Sequence, residues 1–234
     1  MKLHRFFSAT ALLLATGIPA TYASIQINTT RVIYHAAEKD ISVQITNPGK
    51  YPVLLQSWTD DGNPEIKPDA MRTPFVLTPP LTRVNADAGQ TLRLSYTGTA
   101  LPADRESVYW LNVLEIPPVG VKGTNQVQVA FRSRIKLFYR PVTLDDKGAR
   151  TAIAQLRWQA QGNHIILSNP TAYYVSAVAV TATHAGKKTT IPADMLAPHG
   201  SLDLTLPSGV VADGLTVEAI NDYGSSVTEP VNRL

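Results

Sequence analysis

Short runs in which apolar and polar residues alternate dominate this chain. Residues 41–46 (Ile-Ser-Val-Gln-Ile-Thr) place apolar side chains at odd positions and polar ones at even positions, which is the period of a strand with one buried face. Turn-forming residues separate such runs, as at residues 47–49 (Asn-Pro-Gly) and 161–163 (Gln-Gly-Asn). No run keeps the 3.6-residue apolar period of a helix. The pattern predicts an all-β protein built as antiparallel sandwiches or barrels.

One polar stretch divides the strand-like runs into two groups. Residues 145–150 (Asp-Asp-Lys-Gly-Ala-Arg) contain few apolar side chains and are typical of a linker. We therefore predict two β-domains, residues 24–144 and 151–234, joined at 145–150. The second domain is small for a sandwich, and we expect it to pack against the first.

The first 23 residues have the pattern of a secretory signal peptide. Lys2 and Arg5 precede an apolar run over residues 6–18, and small residues follow up to Ala23. We predict cleavage after Ala23, with Ala20 as the alternative. A membrane anchor is the competing interpretation, but the run is shorter than the roughly 20 residues that a span needs. The sequence thus predicts an exported protein that is not inserted in a membrane.

Composition restricts the function further. Without residues 1–23 the chain has 19 basic and 18 acidic side chains, a net charge of +1, which argues against nucleic-acid binding. It has no cysteine, so apolar packing rather than disulfides must hold the exported fold together. The five histidines show no metal-binding spacing, and no nucleotide or nucleophile motif occurs. We predict a protein that is not an enzyme and needs no cofactor.

A long β-prone run over residues 127–141 is the most informative segment. Val127, Val129 and Phe131 alternate with polar or small residues, and Pro141 ends the run because proline donates no backbone hydrogen bond. Lys136 lies in the same run, five residues after Phe131. Strict alternation would turn Lys136 away from the apolar row. Either the two features serve different surfaces, or a bulge between Phe131 and Lys136 changes the alternation.

This run and seven other segments resemble one family, the periplasmic chaperones of pilus assembly, called PapD-like. The matching segments occur in the order and spacing of that family: residues 30–34, 56–58, 78–81, 92–94, 105–112, 127–141, 169–174 and 221–224. The resemblance implies two immunoglobulin-like β-sandwich domains in an L-shaped arrangement. The short connection over residues 117–125, with Gly120 and Gly123, resembles the short-loop subclass of the family (a short F1–G1 loop).

The resemblance also implies how the protein binds a partner. Arg31 and Lys136 would anchor the C-terminal carboxylate of a pilus (fimbrial) subunit, whereas their alternative interpretation is ordinary solvated charge on strands. Val127, Val129 and Phe131 would fill the groove of a subunit that lacks its last strand, which is donor-strand complementation. The alternative is that these three are ordinary core residues. The chaperone would then deliver the subunit to an outer-membrane usher.

Three further charged residues fall in matching segments. In the family, residues corresponding to Glu106, Arg140 and Asp222 form a charged network between the domains. The alternative is three unrelated surface charges. A network of this kind would fix the relative orientation of the domains rather than add much stability.

Two functions of other classes compete with the chaperone. A structural pilus subunit or adhesin would carry a free N-terminal donor extension, and residues 24–28 are too short for one. A periplasmic module that binds a small ligand could use the same cleft. The long apolar strand also makes a self-capping homodimer of the free protein plausible, because exposed strand edges favour pairing with a second copy.

Overall fold

The computed structural model describes residues 25–65, 67–118 and 129–234 of the chain. The predicted signal peptide, Val127 and most of the connection over residues 117–125 lie outside the described residues. The described part is nearly all β, as the alternation predicts. No helix in it is long and apolar enough to cross a membrane.

Nine strands form the first domain. They are β1 (Gln26–Ile27), β2 (Arg31–His35), β3 (Asp40–Asn47), β4 (Val53–Asp60), β5 (Phe75–Thr78), β6 (Leu81–Val84), β7 (Ala88–Tyr96), β8 (Ser107–Ile116) and β9 (Phe131–Arg140). A short 3-10 helix, Pro68–Ala70, lies between β4 and β5. One sheet has the order β1-β3-β7-β5, and the other has the order β2-β9-β8-β4-β6.

The two sheets enclose one apolar core, and alternation explains which residues enter it. In β3, Val43 and Ile45 are buried while Ser42 and Gln44 are exposed, so the alternation predicted for residues 41–46 is confirmed. Tyr34 lies at the centre of the core and is fully buried. Its hydroxyl donates to the carbonyls of Glu38 and Lys39, which satisfies the one polar group that this ring brings inside.

A helix joins the two domains where the sequence predicted an irregular linker. Helix α1 spans Asp146–Ala152 and is followed by a 3-10 turn, Ile153–Gln155. The Asp145 side chain accepts a hydrogen bond from the Gly148 amide (2.7 Å), so it caps the first turn. Ala152 is buried against the second domain's core. The short polar stretch forms a helix because of this cap and this packing, which apolar periodicity alone does not reveal.

Seven strands form the second domain. They are β10 (Arg157–Gln161), β11 (His164–Ser168), β12 (Ser176–His184), β13 (Lys187–Pro192), β14 (Ser201–Thr205), β15 (Gly214–Ile220) and β16 (Ser226–Arg233). β16 pairs antiparallel with β15 and parallel with β10, linking the strands in the order β13-β12-β15-β16-β10-β11-β14. Gln161 pairs with His164, and Gly162 has a positive φ, so the predicted hairpin is confirmed. Trp158 is buried in the core of this domain.

Candidate functional site

Arg31 and Lys136 lie side by side where the two domains meet. β2 pairs in parallel with β9, and Arg31 is the register partner of Lys136. Arg31 donates through Nη1 to Ser176 Oγ (3.2 Å) and to the carbonyl of Ile220 (2.8 Å), both in the second domain. Neutral acceptors therefore hold the guanidinium in place, and no ion pair among the described residues includes it.

The two cations are also partly buried, which makes their proximity costly. Burial lowers the pKa of Lys136, and the nearby charge of Arg31 lowers it further. Burial likewise lowers the pKa of Arg31, although Asp222 partly offsets this effect. Arg31 Nε is buried and has no hydrogen-bond partner among the described residues. An unused buried donor beside a second cation is a site that an anion would stabilise.

β9 has one free edge just before Lys136. β8 pairs with β9 from Phe131 to Tyr139, whereas β2 pairs with it only from Lys136 to Arg140. Within the described part of the chain, no strand covers the other edge of residues 131–135. Val129 and Phe131 are 52% and 56% exposed, so neither is an ordinary core residue. An unpaired backbone edge and exposed apolar side chains thus occur in the same short segment.

The alternation of β9 is unbroken between Phe131 and Lys136. The pairing with β8 runs from Glu115↔Phe131 to Ser107↔Tyr139 without a register shift, so no bulge lies in this stretch. Leu137 and Tyr139 point into the first domain's core, and Phe131 therefore continues their face. Lys136 points to the opposite face. Of the two possibilities that the sequence left open, the structure therefore supports the first: Phe131 and Lys136 lie on different surfaces of β9.

Arg140 is the centre of a charged network between the domains. Its guanidinium contacts Glu106 Oε1 (2.8 Å from Nη2), Asp222 Oδ2 (2.9 Å from Nη2) and Asp146 Oδ1 (2.5 Å from Nη1). The side chains of Arg140 and Glu106 are only 1% and 2% exposed. The backbone amide of Tyr174, in the second domain, donates to Glu106 Oε2 (2.8 Å). The structure therefore brings Glu106, Arg140 and Asp222 together at the domain boundary.

Burial and neighbouring charges have opposing effects inside this network. Burial raises the pKa of Glu106, while Arg140 and the Tyr174 amide oppose that rise. The surrounding carboxylates hold the pKa of Arg140 above its ordinary value despite burial. Glu106 is thus a carboxylate whose burial depends on the guanidinium beside it.

The sequence missed two members of this network. The sequence predicts a linker at Asp146, yet its carboxylate accepts hydrogen bonds from both Arg140 Nη1 and His35 Nε2 (2.8 Å from His35). The hydrogen bond from His35 lowers the pKa of Asp146, and burial only partly opposes it. Asp145, the N-cap, and Asp146, the first residue of α1, form an acidic pair that is typical of a helix start and could have placed Asp146 on a helix.

A second buried carboxylate, Asp60, lies behind the free edge of β9. Asp60 is fully buried at the end of β4 and binds Arg134 through two contacts, to Nε (2.9 Å) and Nη2 (2.5 Å). Asn112 Nδ2 (2.7 Å) and the Gly62 amide (2.8 Å) also donate to it. Arg134 stacks over the Trp110 ring, 4.5 Å from its centroid. These contacts tie the half-paired part of β9 across β8 to β4.

Acid is expected to weaken the fold partly through Asp60. Burial alone would raise its pKa, but hydrogen bonds from Arg134, Asn112 and the Gly62 amide bring it below its ordinary value. A lowered folded pKa means that the stabilisation is complete above the unfolded value, about 3.9, and is lost as the pH falls through the folded value. Urea midpoints of Asp60→Asn should therefore fall less than those of the wild type between about pH 5 and pH 3. Equal losses in the two proteins would contradict this assignment.

Comparison with known proteins agrees with the all-β fold. Residues 24–145 match the family described as "Pili and flagellar-assembly chaperone, PapD N-terminal domain". Residues 151–231 match "Pili assembly chaperone PapD, C-terminal domain". The Chaperone protein FimB/FhaD of Bordetella pertussis is 43% identical over 221 residues, which cover 92% of this chain and 90% of that protein.

Two solved structures are similar over nearly the whole chain. The CupB2 chaperone of Pseudomonas aeruginosa aligns with a TM-score of 0.74 at 34% identity, covering 88% of this chain and 99% of that one. The Salmonella enterica SafA pilin in complex with the SafB chaperone gives a TM-score of 0.74 at 27% identity, covering 90% and 96%. Together with the two domain matches, these similarities show that the chain belongs to the PapD-like family of periplasmic pilus-assembly chaperones.

Proposed function

We propose that this protein binds pilus subunits in the periplasm, completes their fold with its own strand β9, and delivers them to an outer-membrane usher. The observation that carries the proposal is the position of the free edge. Residues 131–135 offer a strand edge that no described strand covers, and this edge ends at Arg31 and Lys136, which form no ion pair among the described residues. One partner strand with a terminal carboxylate would satisfy both features at once.

The polarity of β2 indicates how that strand lies. β2 runs parallel to β9 and begins at Arg31, beside Lys136. A partner strand can pair with the free edge of β9 at residues 131–135. If it runs parallel to β9, its C-terminus lies where β2 begins. Its C-terminal carboxylate then meets the guanidinium of Arg31 and the ammonium of Lys136, which suit it as donors. An antiparallel strand would instead bring its N-terminal ammonium to two cations.

The apolar row supplies the second part of the interaction. Val127, Val129 and Phe131 would enter the groove that the subunit's missing strand leaves open. The backbone ladder satisfies groups that are otherwise exposed, and each fully buried apolar side chain contributes roughly 1.5–3 kcal/mol. Binding and release of this kind require no catalytic residue.

Export is part of the proposal. Residues 1–23 would direct the chain across the inner membrane and be removed after Ala23. A charged start, an apolar centre and small residues before Ala23 support this assignment. N-terminal sequencing of the protein recovered from the periplasm tests it.

The pocket between the domains argues against the small-ligand alternative. It is lined by residues of both domains, including Arg31, Phe138, Ser176 and Asp222, and has a volume of about 40 Å³. Binding sites for small organic ligands usually occupy several hundred Å³. The extended free edge of β9 therefore supports a polypeptide partner better than a sugar or small peptide enclosed in this pocket.

Val129→Ala is expected to weaken subunit binding about threefold to tenfold while the melting temperature stays the same. The side chain is half exposed in the free protein and would be buried only in the complex, so its loss affects the complex alone. Val211→Ala is the matched control, because Val211 is 55% exposed in the second domain. The affinities can be compared by competition. A pilus subunit is co-purified with the wild-type protein, a tagged variant is added, and the fraction of the subunit that transfers to the variant is measured. Equal affinities of the two variants would contradict the role given to Val129.

A further inference from the structure

A second cation lies on the same face of β9 as the proposed anchor. Arg134 precedes Lys136 by two residues, so the two Cα atoms are about 6.7 Å apart and their side chains share a face. Trp110 confirms this placement, since it is the register partner of Lys136 and also lies under the Arg134 guanidinium. A carboxylate that approaches along the free edge of β9 therefore passes Arg134 before it reaches Lys136.

This arrangement creates a problem of register. A slip of one residue would turn every side chain of the partner strand to the wrong face, so alternation excludes it. A slip of two residues preserves the faces and keeps an apolar row opposite an apolar groove. Only the position of the terminal carboxylate then distinguishes the correct register from the slipped one. An unoccupied Arg134 would offer that carboxylate a second site.

Asp60 already occupies the Arg134 guanidinium. It takes both Nε and Nη2 of Arg134, and Asn112 and the Gly62 amide hold the carboxylate in place. Hydrogen bonds from these donors keep Asp60 ionised by lowering its pKa. Arg132, the next cation on this face, is occupied as well, by Asn112 Oδ1 (2.8 Å), the Pro64 carbonyl (2.8 Å) and Asp60 Oδ2 (3.6 Å from Nη2).

The anchor cations differ from Arg134 in this respect. Among the ion pairs of the described residues, none includes Arg31 or Lys136. Arg31 uses neutral acceptors only, and its Nε is unused. After Arg132 and Arg134, the next cations along the free edge are thus Lys136 on β9 and Arg31 beside it on β2, and neither forms an ion pair among the described residues.

We propose that Asp60 sets the register of the bound subunit by occupying Arg134, so that the subunit's terminal carboxylate binds only at Arg31 and Lys136. This inference rests on the proposed function, because it assumes a parallel partner strand with a free carboxylate. Asp60 acts through Arg134 and is a positioning residue that does not touch the subunit.

Disulfide trapping can measure the register directly, because the chain has no cysteine of its own. Ser133→Cys places one thiol on the free part of β9. The probes are two synthetic peptides of alternating valine and threonine with free carboxylates. In the first peptide the cysteine lies opposite position 133 when the terminal carboxylate is at Lys136. In the second peptide the cysteine is two residues closer to the C-terminus, so it lies opposite position 133 only when the carboxylate is at Arg134. Amidated versions of both peptides report whether trapping depends on the carboxylate.

The wild-type background should trap the first peptide and little of the second. Asp60→Asn should raise trapping of the second peptide about tenfold, because a released charged donor is worth roughly 1.5 kcal/mol. The double variant Asp60→Asn/Arg134→Gln has no cation at position 134, so it should again trap mainly the first peptide. If Asp60→Asn acted only by destabilising β9, the second substitution would not reverse its effect. Unchanged trapping in Asp60→Asn would overturn the inference and leave the anchor intact.

Two further results distinguish a failure of the register role of Asp60 from a failure of the carboxylate anchor. Lys136→Ala keeps Asp60 in place, so it should lose carboxylate-dependent trapping without a gain of the second peptide. A shift of that variant to the second peptide would show that Arg134 is accessible and would overturn the inference even if Asp60→Asn fails to fold. If the wild type shows no carboxylate-dependent trapping, the anchor and the inference that depends on it both fail.

Discussion

Arg31→Ala or Lys136→Ala is expected to leave the protein folded and to abolish recovery of pilus subunits. Each substitution removes a charged partner of the subunit's carboxylate. Such hydrogen bonds contribute about 1.5–3 kcal/mol, or about 10- to 150-fold in Kd. An unprotected subunit keeps its groove exposed and is then open to aggregation and proteolysis. The measurement is the amount of subunit in periplasmic extracts, determined by mass spectrometry.

Two controls make this result specific to the anchor. Lys187→Ala and Arg93→Ala remove exposed cations on β13 and β7, away from the cleft, and should leave subunit levels unchanged. The melting temperatures of both anchor variants should lie within about 3 °C of the wild type, since a change of 1 kcal/mol moves a domain of this size by a few degrees. Normal subunit levels with a folded Arg31→Ala or Lys136→Ala variant would refute the anchor assignment.

Among the substitutions of charged residues considered, Arg140→Ala should lower the free energy of unfolding most. It would leave Glu106, a nearly inaccessible carboxylate, without its cation. Breaking a buried ion pair in this way costs about 3–5 kcal/mol. The melting temperature should therefore fall by roughly 6–20 °C. Asp222→Ala should cost less, because Asp222 is 27% exposed, and should mainly alter the domain geometry measured by small-angle X-ray scattering.

The pH dependence of Arg140→Ala gives an independent check on its cause. Burial raises the pKa of Glu106, and loss of Arg140 removes the main opposing effect. A raised folded pKa means that the buried group is tolerated at low pH and becomes costly as the pH rises through that value. The stability difference between Arg140→Ala and the wild type should thus be smaller near pH 4.5 than near pH 7. A difference that is constant with pH would assign the loss to packing rather than to an unpaired carboxylate.

Local patterns were sufficient to predict the strands and several turns. Ser42, Val43, Gln44 and Ile45 alternate in sequence as they do in burial, because each side chain's face depends only on its position along one strand. Gly162 indicated a hairpin because a tight turn requires a residue that tolerates positive φ. Features of this kind follow from neighbours in the sequence.

Contacts across several strands could not be predicted in this way. Asp60 and Arg134 are 74 residues apart, and their contact depends on the joint register of β4, β8 and β9. The free edge of β9 could likewise not be predicted from the sequence, because its extent depends on where β2 begins to pair with β9. The resemblance to a family identified Arg31 and Lys136 as a pair, whereas their position as register partners, with the unused Arg31 Nε, comes from the structure.

The central claim is that this protein captures a pilus subunit through an anchored carboxylate and a donated strand. A pull-down of the tagged protein from its native periplasm, compared with the Arg31→Ala/Lys136→Ala double variant, tests it most directly. Mass spectrometry should find small exported β-rich subunits on the wild type and none on the folded double variant. The same partners on both proteins would contradict the anchor, and the absence of any protein partner on the wild type would contradict the chaperone function.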